Sequence, residues 1–348
     1  MVIVGIDAHK QTHTAVAVDE AGRELATKTV QATPDGNLAL MTWVSQLDPE
    51  RRWAVEDCRH LSRGLERALL GAGEAIVRVP PKLMAHARDS ARTYGKSDPI
   101  DALAVARAAL RYPDLPAACL DGPAREVRLL VDHREDLVAE RTRIINRLRW
   151  HLHELDPTFP VASRALDRYV TLDKVDAFLE GRPEMVAAIA RELAERCREL
   201  TGRERALQGE IARRVMNIAP ALLALPGCGV LSAAKIVGET ADVTRFSSRD
   251  AFAAHNGTAP LPVWSSNHPR HRLSRSGNRQ LNAAIHRIAI TQLRIHPEAQ
   301  TFLERRRLQG DTKAESLRAL KRKLSNVVYR ALLVDAQSAA AICLPAAA

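Results

Sequence analysis

Apolar and polar positions alternate early in this chain. Val2-Ile3-Val4-Gly5-Ile6 is a β-branched run, Thr12-His13-Thr14-Ala15-Val16-Ala17-Val18 alternates as a second strand, and Asp19-Glu20-Ala21-Gly22 reads as a turn. "RRWAVED" (51–57) is a short strand ending in acid. "HLSRGLERALLGAG" (60–73) has helical spacing with a glycine stop, and "EAIVRVP" (74–80) is a third apolar run. "PKLMAHARDSARTYGKSDPIDALAVARAALRY" predicts a helix, a basic loop and a second helix closed by Pro113. Strands alternating with helices in this order predict an α/β domain with a mixed sheet over residues 1–118.

The texture then changes. Val127, Leu130, Leu137, Ile144, Leu148 and Leu152 recur at helical spacing with charges between them, and 184–216 repeats the pattern. Two long amphipathic helices joined by a linker predict a helical coiled-coil arm over 119–218, with a packed bundle as the alternative. A mainly α unit follows over 219–340, and 341–348 forms a tail. "LPGCGVLSAAKIVGE" (225–239) has the start of a helix-hairpin-helix element, in which Gly227 and Gly229 would expose backbone N–H groups to a phosphate. An ordinary interhelical turn is the alternative.

Composition narrows the partners. With 51 Lys and Arg against 41 Asp and Glu the chain carries +10, which favours a polyanion such as nucleic acid. The five cysteines are scattered, with no CxxC pair, so neither a disulfide framework nor a structural zinc site is expected. No apolar run approaches the roughly 20 residues of a membrane helix, and the expectation is a soluble intracellular protein.

Acidic residues mark the ends of elements. Asp7 closes the first strand and Glu56 the strand "WAVED"; Asp98 is placed as a helix N-cap with Pro99 first in the helix, and Asp101 lies one turn on. Convergent carboxylates of this kind suit a hard cation in phosphoryl transfer. Capping alone would explain Asp98 and Asp101 but not Asp7 and Glu56. An actin-like ATPase would need a glycine-rich loop after Asp7, where Ala8-His9-Lys10-Gln11-Thr12 stands instead. Downstream, a polar loop holds Ser265 and Ser266 beside Arg270, His271, Arg272, Arg275 and Arg279. A serine among arginines in a DNA-binding protein could attack a phosphodiester, although loop serines more often bond to backbone.

"GIDAHK", "VED", "KSDPIDALAVA", "LPGCGVLSAAKIVGE", "NGTAP…SSN" and "RHRLSRSGNRQLNAAIH", in this order, resemble the insertion-sequence one-ten family of transposases over nearly the whole chain. The resemblance implies a RuvC-like (ribonuclease H-like) N-terminal domain with a DEDD metal site, a coiled-coil arm, and a C-terminal transposase domain with a nucleophilic serine. It implies Asp7, Glu56, Asp98 and Asp101 as ligands of Mg²⁺, with Mn²⁺ as the substitute. It also implies target and donor DNA as substrates, an element-encoded guide RNA as partner, and a homo-oligomer between dimer and tetramer. The family serine precedes glycine; the matching Ser266 precedes Asn267, which leaves Ser265 as the other candidate and sets this copy apart from the pattern. Lys10, Lys82, Lys96 and the helix bearing Arg141, Arg143, Arg147 and Arg149 are candidate nucleic-acid contacts. Two other readings remain open: a Holliday-junction-type nuclease with water as nucleophile, and a non-enzymatic nucleic-acid-binding protein.

Overall fold

Strand β1 (Val2–Ala8) is buried along its whole length and occupies the centre of a five-stranded sheet of order β3-β2-β1-β4-β5. The structure is a computed structural model that describes residues 1–56, 61–81, 83, 84, 87, 97–113, 115, 117, 118, 122–162, 164–265, 268–273 and 277–343, with backbone alone for 262–265, 268–273 and 339–343. β2 (Thr12–Val18) and β3 (Glu24–Gln31) continue antiparallel on one side of β1. β4 (Arg51–Glu56) and β5 (Ile76–Val79) run parallel to it on the other. The expected mixed α/β sheet is therefore present.

Two of its elements escape the apolar pattern. β3 is an edge strand whose only buried residue is Val30, so it looks like a polar loop in sequence. Helix α1 (Pro34–Ser45) begins at Thr33, whose hydroxyl accepts from Gly36 N, with Pro34 in its first turn.

The sheet has a core on each face. Val4, Ile6, Trp53 and Val55 pack with Leu40 and Val44 of α1 and with Leu65 and Leu69 of α2 (Arg63–Gly71). On the opposite face, Ile3, Val16, Ala54, Val77 and Val79 pack against Ala102, Val105, Ala106 and Ala109 of α3 (Asp98–Arg111). The N-cap of α3 is Ser97, not Asp98 as expected; Asp98 is the first helical residue and Pro99 the second. The shift frees the Asp98 carboxylate from capping.

Helices α4 (Pro123–Leu155) and α6 (Met185–Ile218) run side by side. Arg214 pairs with Glu126, Arg134 with Glu204 and Arg196 with Glu140, a descending register that makes them antiparallel. Helix α5 (Tyr169–Leu179) closes the far end of the pair with a core of Leu148, Leu152, Leu172, Leu179 and Cys197. At the near end, Val127, Val131, Ile211 and Val215 belong to the C-terminal core. Each long helix thus spans two cores, one at either end.

The C-terminal core is built on α8 (Val230–Thr240), α9 (Arg249–His255), α10 (Arg279–Ile295) and α12 (Lys313–Cys343). Two short elements join it: α7 (Pro220–Leu223) and α11 (Pro297–Leu308). The segment expected as a polar loop is instead a hairpin of β6 (Pro260–Ser265) and β7 (His268–Leu273). Pro260, Pro262 and Pro269 disguise it in the sequence. A two-stranded ribbon tolerates them because each strand has a free edge. Among the described residues no helix is long and apolar enough to cross a membrane.

Candidate metal centre at the ends of two parallel strands

Asp7 and Glu56 are neighbours by register. The parallel ladder pairs Ile6 with Val55, so the next positions bring Asp7 and Glu56 to the same end and the same face of the sheet. That face carries α3. A Cβ at Gly5 would lie 2.2 Å from Ala102 O and 2.5 Å from Ala106 N, so α3 reaches β1 only because residue 5 lacks a side chain. The close approach brings the first turn of α3, with Asp98 and Asp101, over the strand ends.

Asp7 is 5% exposed and Asp101 is also buried, while Asp98 is exposed. His9 Nε2 donates to Asp7 Oδ2 at 3.0 Å and lies 3.4 Å from Asp98 Oδ1. One ligand atom each from Asp7, His9 and Asp98 falls within 4.8 Å of the others. Burial raises the Asp7 carboxyl above its ordinary range; His9 opposes the rise, and the nearby charges of Asp101 and Asp98 add to it. A buried carboxylate held against two more carries negative charge that a hard dication would relieve, and the mainly oxygen donor set fits one.

Of the four expected acids, the structure brings Asp7 and Asp98 together through His9 and sets Asp101 close enough to act on Asp7. The strand register carries Glu56 to the same end, half-buried. His9 is not among the expected site residues. The signal available for it is spacing: residues two apart at a strand end share a face.

The other candidates scatter. Ser265 ends β6 opposite His268 across the hairpin, while Ser266, Asn267 and Arg275 lie outside the described residues, as do Lys82 and Lys96. Arg270 and Arg272 are on β7, paired with Val263 and Leu261; Arg279 opens α10, exposed. His271 likewise lies in a strand, not in the loop expected for it. Lys10 is exposed beside His9. Arg143 and Arg147 face solvent on α4, whereas Arg141 pairs with Glu204 and Arg149 donates to Ala162 O. Gly227 sits at φ 77° in the turn before α8, where a Cβ would lie 3.2 Å from both Ile288 O and the Thr291 side chain of α10. Gly229 is the N-cap of α8, with open space around it.

Much of the C-terminal motif pins the hairpin base. A Cβ at Gly277 would stand 2.2 Å from Gly257 N. Asn278 N donates to His255 O, Asn282 Nδ2 to Asn256 O at 2.7 Å, and Asn278 Nδ2 to Glu239 Oε2 at 2.6 Å.

Comparison with known proteins places the chain among transposases. Residues 4–157 match a family model described as "Transposase", named for a DEDD transposase domain, and residues 219–304 match the "Transposase IS116/IS110/IS902 family". The 42 kDa protein of insertion element IS900 from Mycobacterium paratuberculosis is 28% identical, with 94% of each chain covered. The 44.8 kDa protein of IS116 from Streptomyces clavuligerus is also 28% identical, again with 94% of each covered. Thermus thermophilus RuvC in complex with a Holliday junction superposes on 32% of this chain and 94% of its own, at 18% identity and a TM-score of 0.27, too weak a likeness to carry weight. These matches define a DNA transposase of the insertion-element type. The chain belongs to the IS110 family.

Proposed function

We propose that this transposase cuts and rejoins DNA through a phosphoserine intermediate, at a Mg²⁺ site formed by Asp7, Glu56, Asp98 and Asp101 in a RuvC-like domain. The observation that carries the reading is the buried Asp7 carboxylate, set against Asp98 and Asp101 at the end of two parallel strands. When bound there, a divalent ion would supply Lewis-acid polarisation of the scissile phosphate.

The protein's own groups do the rest. The Oγ of Ser266, or of Ser265, forms a bond to phosphorus while the bond from phosphorus to a deoxyribose oxygen breaks. The serine's proton ends on that oxygen. The hydroxyl of the incoming strand then reverses the step, so the phosphodiester is restored without nucleotide hydrolysis. Arg270, Arg272, Arg275 and Arg279 stabilise the charge that builds on the phosphate. Backbone amides near Gly227 and Gly229, with Lys10, Lys96, Arg143 and Arg147, hold nucleic-acid backbone.

The division into a catalytic domain at 1–118, an arm at 119–218 and a transposase domain at 219–340 belongs to the same reading. So does guidance by the element's non-coding RNA, which the family resemblance supports. Ser265 ends the β6–β7 hairpin, whereas the acids lie on the five-stranded sheet and α3, which favours a dimer or tetramer that joins the serine of one protomer to the acids of another.

The test is a denaturing gel of protein, labelled target and donor DNA, flanking RNA and Mg²⁺, with wild type, Ser266→Ala, Ser265→Ala and Asp7→Ala. A labelled band migrating with protein, lost in Asp7→Ala and in one serine variant, is expected. It should need the RNA. Free cleaved DNA indifferent to both serines would leave a metal nuclease and end the serine mechanism.

A further inference from the structure

A cleft of about 1070 Å³ opens between residues 257–260, the end of α11 and the start of α12, at the base of the β6–β7 hairpin. Six Lys or Arg side chains and two carboxylates line it. Three of the six are engaged: Arg306 with Asp311 at 2.6 Å, Arg318 with Glu315 at 3.8 Å, and Arg322 with Asp250. Among the described residues no carboxylate pairs with the remaining three, Arg305, Lys321 and Lys323.

Those three are arranged rather than scattered. Lys323 Nζ lies 4.3 Å from the Phe302 ring centroid and Arg305 Cζ 5.7 Å from it, so one aromatic ring holds both cations at the cleft wall. Lys321 is half-buried, and its ammonium donates to the neutral amide oxygen of Asn282. Burial lowers its affinity for the proton. An ammonium partly removed from water with only a neutral acceptor is a charge that an anion in the cleft would stabilise.

We propose that this cleft binds the sugar–phosphate backbone of duplex DNA, with Arg305, Lys321 and Lys323 as phosphate contacts beside the hairpin base. The inference rests on the chain being a DNA transposase and on neither the serine nor the metal. DNA is the polyanion that this activity requires, and a net charge of +10 suits it. Gly257, Thr258 and Pro260 form one wall. Backbone seated there runs past the point where β6 leaves the core, so the cleft would orient DNA relative to the hairpin that bears Ser265.

The test is fluorescence anisotropy of full-length protein with a labelled duplex of arbitrary sequence, over a series of salt concentrations without divalent ions. Arg305→Ala/Lys321→Ala/Lys323→Ala is compared with Arg67→Ala/Lys174→Ala/Arg330→Ala, which removes the same charge from exposed positions elsewhere. Three phosphate contacts predict a log K against log salt slope shallower by about 2.7, with affinity at least about tenfold weaker at low salt. The control triple is expected within about twofold of wild type. Because Lys321 is half-buried, the exposed pair Arg305→Ala/Lys323→Ala is measured too, with an expected slope change of about 1.8. Equal losses in the cleft and control variants, or an unchanged slope in the pair, would overturn the proposal. So would a loss confined to single-stranded RNA of the same length.

Discussion

Gly5 and Ala102 touch backbone to backbone: a methyl group on Gly5 would sit 2.2 Å from the Ala102 carbonyl oxygen. The glycine therefore fixes how near α3 comes to β1, and with it the separation of Asp98 and Asp101 from Asp7. Gly5→Ala must push the helix away. The expected destabilisation is about 1–3 kcal/mol, the usual range for overpacking a tight core. Urea denaturation measures it. Strand cleavage should fall further than the lost stability explains, because the acids no longer converge.

Asp7→Asn separates stability from activity. The raised Asp7 pKa means that its ionised form is less favourable in the folded protein than in the unfolded chain. Stability is therefore drawn down as pH rises from the unfolded carboxylate value through the folded one. The neutral amide removes this term, so Asp7→Asn in EDTA should melt above wild type by differential scanning fluorimetry while strand cleavage disappears. Adding Mn²⁺ or Mg²⁺ should raise the wild-type midpoint and leave that of the variant in place.

Asp7, Asp98 and Asp101 are visible in the sequence because acid at the edge of an apolar element is conspicuous. His9 is hidden because one histidine beside one aspartate has many explanations until a helix arrives carrying Asp98. β3 escapes notice for the reason that makes it an edge: only Val30 of its eight residues is buried. The hairpin escapes because Pro260, Pro262 and Pro269 argue against strand wherever both edges must pair. In the motif around α8, Lys235 and Glu239 are buried, Lys235 donating to Asp132 and Glu135 of α4 and Glu239 accepting from Asn278, the N-cap of α10, so this part of the motif holds helices together.

His255 should make the C-terminal core acid-sensitive. Burial, and then the charge of Arg245, push its pKa down to about 3. A histidine whose folded pKa is below the unfolded value of about 6.5 leaves stability intact above pH 6.5. Stability is then lost as pH falls toward 3, by up to about 1.4 kcal/mol per unit. Denaturation midpoints at pH 7, 6 and 5 should decline in wild type. His255→Gln should lose that component of the decline. Parallel slopes in the two proteins would show that other groups set the acid limit.

Lys235 and its two partners should respond unequally to mutation. The Lys235 side chain is 3% exposed, and its ammonium donates to Asp132 at 3.0 Å and Glu135 at 2.8 Å, whose side chains are 41% and 37% exposed. Lys235→Met leaves two carboxylates that can turn into water, so its expected destabilisation is under about 1 kcal/mol. Asp132→Asn/Glu135→Gln leaves the charge buried without a counter-ion. A buried pair broken on that side costs about 3–5 kcal/mol. Chemical denaturation of both variants decides the matter. Equal effects would mean that water reaches Lys235 Nζ between α4 and α8, and that the contact between these helices rests on Val127 and Val131 packing against Ala233, Ala234 and Val237 instead.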